Sequence, residues 1–207
     1  MSPVRAVVPV KAFALAKQRL APVLDDAARR ALAAAMLADV LDALARAPGL
    51  AGVVVVTADA EAARIAAGFG AAASDAAARE GHTAAVAEAA RRLAAAGEAM
   101  LTVPADVPLI EPADVEAILA APGRFVIVPA RDGLGSNAVL CRPADAVPLR
   151  FGAPSYAPHL AAARARGIAP VTLRLARVAL DIDGPDDLRA FRGLASRGRA
   201  RAALGCG

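Results

Sequence analysis

Aromatic side chains are rare in this chain: its 207 residues include no tryptophan, one tyrosine and five phenylalanines. Without aromatics for base stacking, the net charge of +4 does not indicate a nucleic-acid partner. Cysteine is also scarce. Cys141 and Cys206 are too few and too far apart for a disulfide framework or a zinc site. We therefore expect Cys141 to be a small buried residue and Cys206 to be part of a loose terminus.

Long apolar runs are missing too, although alanine raises the hydrophobic fraction to 57%. The run Ala31–Ala38 stops at Asp39, far short of a bilayer span, and the N-terminus lacks a signal-peptide layout. We expect a cytosolic protein with no membrane partner. One domain is predicted over residues 1–195, followed by a loose basic tail over 196–207.

Lysine is the scarcest of the charged residue types. Of the 24 basic residues only two are lysines, Lys11 and Lys17, and both follow the apolar run Val4–Val10. With Arg19 they place three cations just after a predicted strand, a pattern that suits a triphosphate. Lysine and arginine are not equivalent around phosphates, so two lysines in an arginine-rich chain indicate a function. A solvated loop with incidental charge is the alternative.

Strand and helix patterns alternate along the chain. This alternation predicts an α/β, Rossmann-like domain with a mainly parallel sheet and helices on both faces. The predicted strands are Val4–Val10, Gly52–Thr57, Ala99–Val103, Phe125–Pro129, Ala138–Arg142, Val171–Leu175 and Val178–Ile182. The predicted helices are a long one capped by Asp25 or Asp26, with Met36, Leu37, Val40, Leu41 and Leu44 on its apolar face, then Asp59–Ala67, Ala84–Ala96, Pro112–Ala120, Tyr156–Arg166 and Pro185–Leu194. Ligands of such sheets lie beyond the carboxyl ends of the strands.

Acidic residues stand at two of these strand ends. Asp106 lies between two prolines in the run VPADVPLI, and Asp181 and Asp183 flank Ile182 in LDIDGPDDL. If 178–182 is a strand, the two aspartates share one face while Ile182 enters the core. Carboxylates at this edge suit Mg²⁺, which takes one or two of them together with phosphate oxygens. A plain turn residue and a helix cap are the alternatives.

Glycine-rich turns supply candidate anion sites. Gly133–Ala138 matches G-x-G-x-x-A, but a strand-like segment follows it and no acid lies about 20 residues on, so we reject a dinucleotide site. Asn137 is the only asparagine of the chain, and Gly152 and Ser155 lead into a predicted helix. For His82 an exposed loop position is expected over a contact with base or phosphate. For His159, on the helix after Ser155, the indication of a function is weaker still.

With these segments in view, the chain resembles the guanylyltransferases of coenzyme F420 biosynthesis, a branch of the superfamily that includes the molybdopterin guanylyltransferases. The resemblance runs from Val8 to about Leu188. It is carried by VPVKAFALAKQRLAPVL, VPADVPLI, DGLGSNAVL, FGAPS and LDIDGPDDL. It implies transfer of GMP from GTP to a three-carbon phosphorylated acid: 2-phospho-L-lactate, phosphoenolpyruvate or 3-phosphoglycerate. The arginine- and alanine-rich composition is typical of a GC-rich bacterium, and a bacterial source favours phosphoenolpyruvate or 3-phosphoglycerate over 2-phospho-L-lactate.

Site residues follow from the same resemblance. They are Lys11, Lys17, Arg19 and Asp106 as catalytic groups, Asp106, Asp181 and Asp183 as ligands of Mg²⁺, and Ser136, Asn137, Gly152 and Ser155 at the acid. The chain departs from the family at Gln18 and Gly184, where threonine is common, and at Thr83, where asparagine is usual. The resemblance places Thr83 near the nucleotide.

Three alternatives stay open. They are a transferase that acts on molybdopterin, one that acts on a sugar phosphate, and a nucleotide-binding regulator without turnover. The retained acids and lysines argue against the regulator. The sequence leaves the oligomeric state open; a homodimer and transfer of the product to the next enzyme of the pathway are compatible with it.

Overall fold

In the part of the chain that the structure describes, seven strands form one sheet in the order β3-β2-β1-β4-β6-β5-β7. The computed structural model describes residues 2–152, 154–194 and 198–205. The strands are β1 (Val4–Pro9), β2 (Leu50–Val56), β3 (Ala72–Ser74), β4 (Ala99–Thr102), β5 (Phe125–Pro129), β6 (Ser136–Cys141) and β7 (Val171–Thr172). Strands β1 to β4 pair in parallel, whereas β6 runs antiparallel to both β4 and β5. The mainly parallel sheet that the sequence predicted is confirmed.

Helices cover both faces of the sheet. They are α1 (Asp26–Arg46), α2 (Ala60–Gly68), α3 (His82–Ala95), α4 (Pro112–Ala120), α5 (Tyr156–Ala165), α6 (Ala176–Ala179), α7 (Pro185–Gly193) and α8 (Arg199–Ala203). Helices α1, α2 and α4 pack on one face, and α3 and α5 pack on the other. Successive residues of β1 enter opposite cores, Val7 one and Val8 the other, so burial of the continuous apolar run stabilises both layers.

Helix α1 follows the sequence prediction. The Asp25 side chain accepts the backbone N–H of Ala28 at 2.7 Å, which satisfies an otherwise unpaired donor in the first turn. The predicted apolar stripe is buried. Its residues contact the sheet and, through Met36, the cluster formed by α7 and α8.

The predicted strand over 178–182 is wrong. Residues Ala176–Ala179 form helix α6, and the segment 180–183 that follows is extended but belongs to no strand. Backbone groups here bond to loops instead of a neighbouring strand: the Ala179 carbonyl accepts the N–H of Arg131, and the Ile182 N–H donates to the Asp106 carbonyl. Ile182 is buried as predicted, because the extended backbone still alternates its side chains.

Strand β3 was not predicted from the sequence. Its three residues are alanines and a serine, without the β-branched pattern that indicates a strand, and pairing with β2 creates it. Strand β7 covers two residues of the predicted Val171–Leu175, and α3 begins at His82, two residues before the prediction.

The described part of the C-terminal segment, 198–205, is packed, although the sequence predicted a loose tail. The Asp39 carboxylate on α1 accepts the backbone N–H groups of Arg199 and Ala200, at 2.9 and 2.8 Å, and Ala200 is buried. A carboxylate at the start of α8 satisfies donors that would otherwise be unpaired. Cys206 lies outside the described residues, and Cys141 is buried and free, as predicted. Within the described residues, no helix combines the length and the apolar character needed to cross a bilayer.

Candidate active site

Lys17 lies at the centre of the predicted site. The loop after β1 contains two short 3-10 turns, Phe13–Leu15 and Gln18–Leu20, and Lys17 joins them in a left-handed backbone conformation (φ 53°, ψ 38°). Its ammonium donates to Asp106 Oδ2 at 2.6 Å and to Asp183 Oδ1 at 2.8 Å. A non-glycine residue in this conformation costs about 1 kcal/mol or more, and the two ion pairs offset that cost.

Asp59 anchors this loop, and the sequence reasoning missed that function. Its carboxylate accepts the backbone N–H of Phe13 at 2.8 Å while it caps α2 through Glu61 and Ala62. Burial alone would raise the pKa of Asp59, but the backbone N–H groups of Phe13, Ala62 and Glu61 outweigh it and lower the pKa. The sequence indicates only the start of a helix at this position.

Lys17 and Asp183 stabilise each other's charged forms. Burial alone would lower the pKa of Lys17, but the carboxylates of Asp106 and Asp183 outweigh it and raise the pKa above its usual range. Burial likewise opposes ionisation of Asp183, while Lys17, Arg19 and Lys11 together lower its pKa. Lys11 and Arg19 are exposed, yet both lie close enough to act on Asp183. The structure thus brings the three predicted cations to the predicted acids.

Asp181 behaves differently from its neighbour. Burial raises its pKa to about 6, helped by the nearby charges of Asp106 and Asp183, although the hydrogen bond from Asn137 opposes the shift. That bond joins Asn137 Nδ2 to Asp181 Oδ1 at 3.0 Å. Repulsion among carboxylates that share a site leaves one of them easier to protonate than the others.

A divalent cation fits part of this arrangement. Among the residues that the structure describes, no three acidic, histidine or cysteine side chains gather closely enough to hold a metal by themselves. Asp106 and Asp183 do contact one ammonium, so both carboxylates reach a single small cation. Mg²⁺ is usually held by one or two carboxylates together with substrate phosphates, and this donor set suits that mode.

A neutral hydrogen-bond network lies beside the acids. Ser136 Oγ contacts His159 Nδ1 at 3.0 Å and accepts a hydrogen bond from Ser155 Oγ at 3.2 Å. Ser155 occupies the N-cap of α5, but its side chain makes no capping bond, so it is not the plain cap that the sequence left open. Gly152 precedes it with φ +139°, in a conformation that side chains rarely adopt.

Asn137 is buried on β6, directly after Ser136, and connects this network to the acids. Its amide group donates to the carbonyls of Val178 and Ala179 as well as to Asp181. Strand β6 thereby supports α6 and the extended segment that carries Asp181 and Asp183. Both Asn137 amide hydrogens are directed to these protein acceptors.

His82 and Thr83 begin α3 and connect it to the loop before α5. The His82 ring stacks on Phe151 at 4.2 Å between centroids, and Thr83 Oγ1 accepts the Phe151 N–H at 2.9 Å. The exposed position expected for His82 is therefore wrong. Burial lowers the pKa of His82 to about 4, and within the described residues its buried Nε2 has no hydrogen-bond partner.

A small cavity lies between the ends of β1 and β2 and the start of α3. Its lining includes Pro9, Lys11, Val56, Gly81 and His82. It lies at the Lys11 end of the loop that follows β1. The structure also adds His159 to the site, although the sequence contained little indication of a function for it. His159 contacts both Ser136 and the loop before α5.

The fold is that of nucleotidyltransferases. A crystal structure from Desulfovibrio desulfuricans, described as a nucleotide-diphospho-sugar transferase, superposes with a TM-score of 0.78 over 99% of this chain and 95% of that one, at 20% identity. At that identity the likeness defines the architecture and not the substrate.

Residues 4–194 match the family described as "Guanylyl transferase CofC like", and the chain belongs to this family of guanylyltransferases. A phosphoenolpyruvate guanylyltransferase from Conexibacter woesei is 43% identical over 205 residues, covering 96% of this chain and 91% of the relative. A 2-phospho-L-lactate guanylyltransferase from Methanothermobacter thermautotrophicus is 35% identical over 185 residues, covering 88% and 81%. The resemblance stated from the sequence is confirmed, and the alternative of a regulator without turnover is set aside.

Proposed function

We propose that this enzyme transfers GMP from GTP to a three-carbon phosphorylated acid, with release of pyrophosphate, as a step of coenzyme F420 biosynthesis in the cytosol. The observation that carries the proposal is the position of Lys17, whose ammonium contacts both Asp106 and Asp183. Lys11 and Arg19 lie within electrostatic reach of Asp183. Cations and acids therefore lie together at one edge of the sheet, an arrangement that suits the binding of phosphate groups.

Phosphoenolpyruvate is the acceptor we propose. Supporting it, the relative named for phosphoenolpyruvate is 43% identical, and the relative named for 2-phospho-L-lactate is 35% identical. We place the acid at the Ser136, Gly152 and Ser155 side of the site. The hydroxyl and imidazole groups there form a neutral, buried network, a setting in which an anion gains from each directed hydrogen bond.

The chemistry needs no protein nucleophile. An oxygen of the acceptor's own phosphate attacks the α-phosphorus of GTP, and the bond from that phosphorus to the bridging oxygen breaks, so pyrophosphate leaves with the electron pair. No proton must move in this exchange. The protein's contribution is alignment and neutralisation of charge.

Each cation has a separate task in this scheme. Lys17, fixed by two carboxylates, holds a positive charge where charge develops at the α-phosphorus. Lys11 and Arg19, both exposed, collect the outer phosphates as GTP enters. Asp106 and Asp183, with Asp181 beside them, would hold Mg²⁺, which supplies further neutralisation of the phosphate oxygens.

The test is pyrophosphate release from the purified full-length chain with GTP and Mg²⁺. Phosphoenolpyruvate, 3-phosphoglycerate and 2-phospho-L-lactate are supplied one at a time, and CTP and ATP serve as nucleotide controls. Release that requires GTP and phosphoenolpyruvate supports the proposal. Release with another acid corrects the acceptor. Release with none of the three acids, or release that does not require GTP, overturns the proposal.

A further inference from the structure

His159 is almost fully buried, at 1% exposure, on the helix behind the serine pair. Its ring makes two polar contacts. Nε2 accepts the backbone N–H of Arg150 at 2.9 Å, and Nδ1 lies 3.0 Å from Ser136 Oγ. The edge of the Phe151 ring packs against it with 5.2 Å between centroids. The ring is therefore fixed by contacts on three sides.

These contacts select one tautomer of the imidazole. A nitrogen that accepts an N–H carries no proton, so the Arg150 amide requires Nε2 to be unprotonated. Burial lowers the pKa of His159 to about 4, so the ring is neutral near pH 7. A neutral ring has one N–H, which must then be at Nδ1. His159 consequently donates to Ser136, and Ser136 Oγ is the acceptor.

The direction of the His159–Ser136 hydrogen bond decides whether a serine hydroxyl hydrogen stays free. Ser136 Oγ accepts from both His159 and Ser155, and one hydroxyl hydrogen of the serine pair remains. Within the described part of the chain, neither hydroxyl makes a further hydrogen bond. If the tautomer were reversed, Ser136 would donate to His159 and Ser155 would donate to Ser136, and no hydrogen would remain for a ligand.

Resting on the function proposed above, we infer that His159 is a positioning residue whose Nδ1–H keeps a serine hydroxyl free to donate to the anionic acceptor acid. The Arg150 amide that selects the tautomer lies two residues before Gly152, so the loop that borders the acid site also determines the polarity of its donors. His159 itself contacts no substrate in this scheme. It acts through Ser136.

The tautomer is measured first, because that measurement does not depend on activity. The chain has two histidines, so long-range proton–nitrogen NMR spectra of ¹⁵N-labelled protein give two ring patterns, and a His159 variant assigns them by loss of one. We expect the His159 ring to be protonated at Nδ1 and unprotonated at Nε2 at pH 7. A proton at Nε2 would overturn the inference whatever the kinetics show.

Two substitutions then separate the two contacts of the ring. His159→Asn places an amide where Nδ1 is and keeps a donor to Ser136. His159→Gln reaches the position of Nε2, keeps an acceptor for Arg150 and removes the donor to Ser136. Each variant retains one of the two hydrogen bonds, so their melting temperatures should fall by similar amounts.

The steady-state constants should differ between the two variants. For His159→Gln we expect the KM for the acid to rise about 10- to 100-fold, the range for a lost hydrogen bond to a charged group. For His159→Asn it should stay within about threefold of the original value, and the KM for GTP should hold within about twofold in both. Equal KM changes in the two variants, or changes that follow the melting temperature, would show a purely structural role and overturn the inference.

Failure of the proposed function gives a different pattern. If the unmodified protein releases no pyrophosphate with any acid, the reaction assignment is wrong, while the NMR result still reports the tautomer. If the unmodified protein is active and the two variants do not differ, the reaction stands and the assignment to His159 falls.

Discussion

Two neighbouring parts of the site differ in charge and in burial. The acidic centre, formed by Asp106, Asp181 and Asp183 around Lys17, is charged and open to water, with the Asp183 side chain 47% exposed. The serine–histidine network, formed by Ser136, Ser155 and His159, is neutral and buried. In the first, Lys17 and Asp106 follow parallel strands β1 and β4 while Asp181 and Asp183 follow α6, and the second joins antiparallel strand β6 to α5.

The difference follows from the cost of burial. Ionised groups lose more solvation in a protein interior than they regain unless they are paired, so a cluster of four charges remains at the edge of the sheet. Neutral hydroxyl and imidazole groups can be buried as long as their hydrogen bonds are satisfied. We therefore expect pH and ions to control the acidic centre, whereas tautomer and geometry control the network.

The largest effect should come from Asp106→Asn, which removes one charge from the acidic centre. We expect kcat to fall by roughly 10²- to 10³-fold, because the carboxylate that holds Lys17 and would hold Mg²⁺ is lost, and these cations stabilise the charge at the reacting phosphorus. Pyrophosphate release at saturating GTP and acid measures it. Asp186→Asn, at an exposed position of α7, is the matched control and should retain activity. Unchanged turnover in Asp106→Asn would remove Asp106 from the mechanism.

Substitutions at Lys17 test whether the acidic centre needs the compact charge of an ammonium or only a positive charge. Lys17→Met leaves Asp106 and Asp183 without their shared cation, and we expect kcat/KM for GTP to fall about 10- to 100-fold. Lys17→Arg should restore only a small part, since a planar guanidinium does not reproduce a compact ammonium between two carboxylates. Full activity in the arginine variant would mean that the sign of the charge alone matters here.

The hydrogen bond from the Phe151 N–H to Thr83, at the start of α3, predicts a smaller effect, on the KM for the acid. Thr83→Val removes the hydroxyl that accepts the Phe151 N–H and frees the loop before Gly152. We expect the KM for the acid to rise about 2- to 10-fold with little change for GTP, as for one neutral hydrogen bond. Thr83→Ser keeps the hydroxyl and should restore the original KM. If the KM for GTP changes instead, Thr83 belongs to the nucleotide side.

The smallest effect concerns stability and its dependence on pH. The pKa of Asp181 is about 6 in the folded protein against an ordinary value of 3.8. Between these values the unfolded chain releases this proton first, so the contribution of Asp181 to stability declines as the pH rises from about 4 to about 6. Asp181→Asn cannot ionise and should avoid that loss.

We therefore expect Asp181→Asn to be more stable than the original protein at pH 7.5, by about 1 kcal/mol because water reaches part of the carboxyl. Near pH 4 the two should unfold alike. Thermal unfolding without divalent ions at both pH values measures the difference, and Asp186→Asn again serves as the control. A stability gain that is the same at both pH values would assign the effect to packing and not to ionisation.

The sequence predicted the charged centre better than the neutral network, for a physical reason. Two lysines among 24 basic residues are visible in the chain itself, and the carboxyl ends of parallel strands β1 and β4 lie at one edge, which brings Lys17 to Asp106. Asp181 and Asp183 follow helix α6 instead of a strand. The roles of these lysines and aspartates as catalytic groups and metal ligands remain predictions. His159 showed no such signal, because its function depends on an amide nine residues earlier and a serine 23 residues earlier.

Local pattern, by itself, determined the α/β class, the cap at Asp25 and the buried stripe of α1. The resemblance of its motifs to those of a known family indicated the family and the proximity of cations to acids. Tertiary structure alone decided the rest. It turned the start of the apolar run at 178–182 into a helix, paired an alanine-rich segment as β3 and packed residues 198–205 against Asp39. It also selected the tautomer of His159. In each case a partner distant in the chain supplies the hydrogen bonds, and a backbone or side-chain donor takes the state that satisfies them.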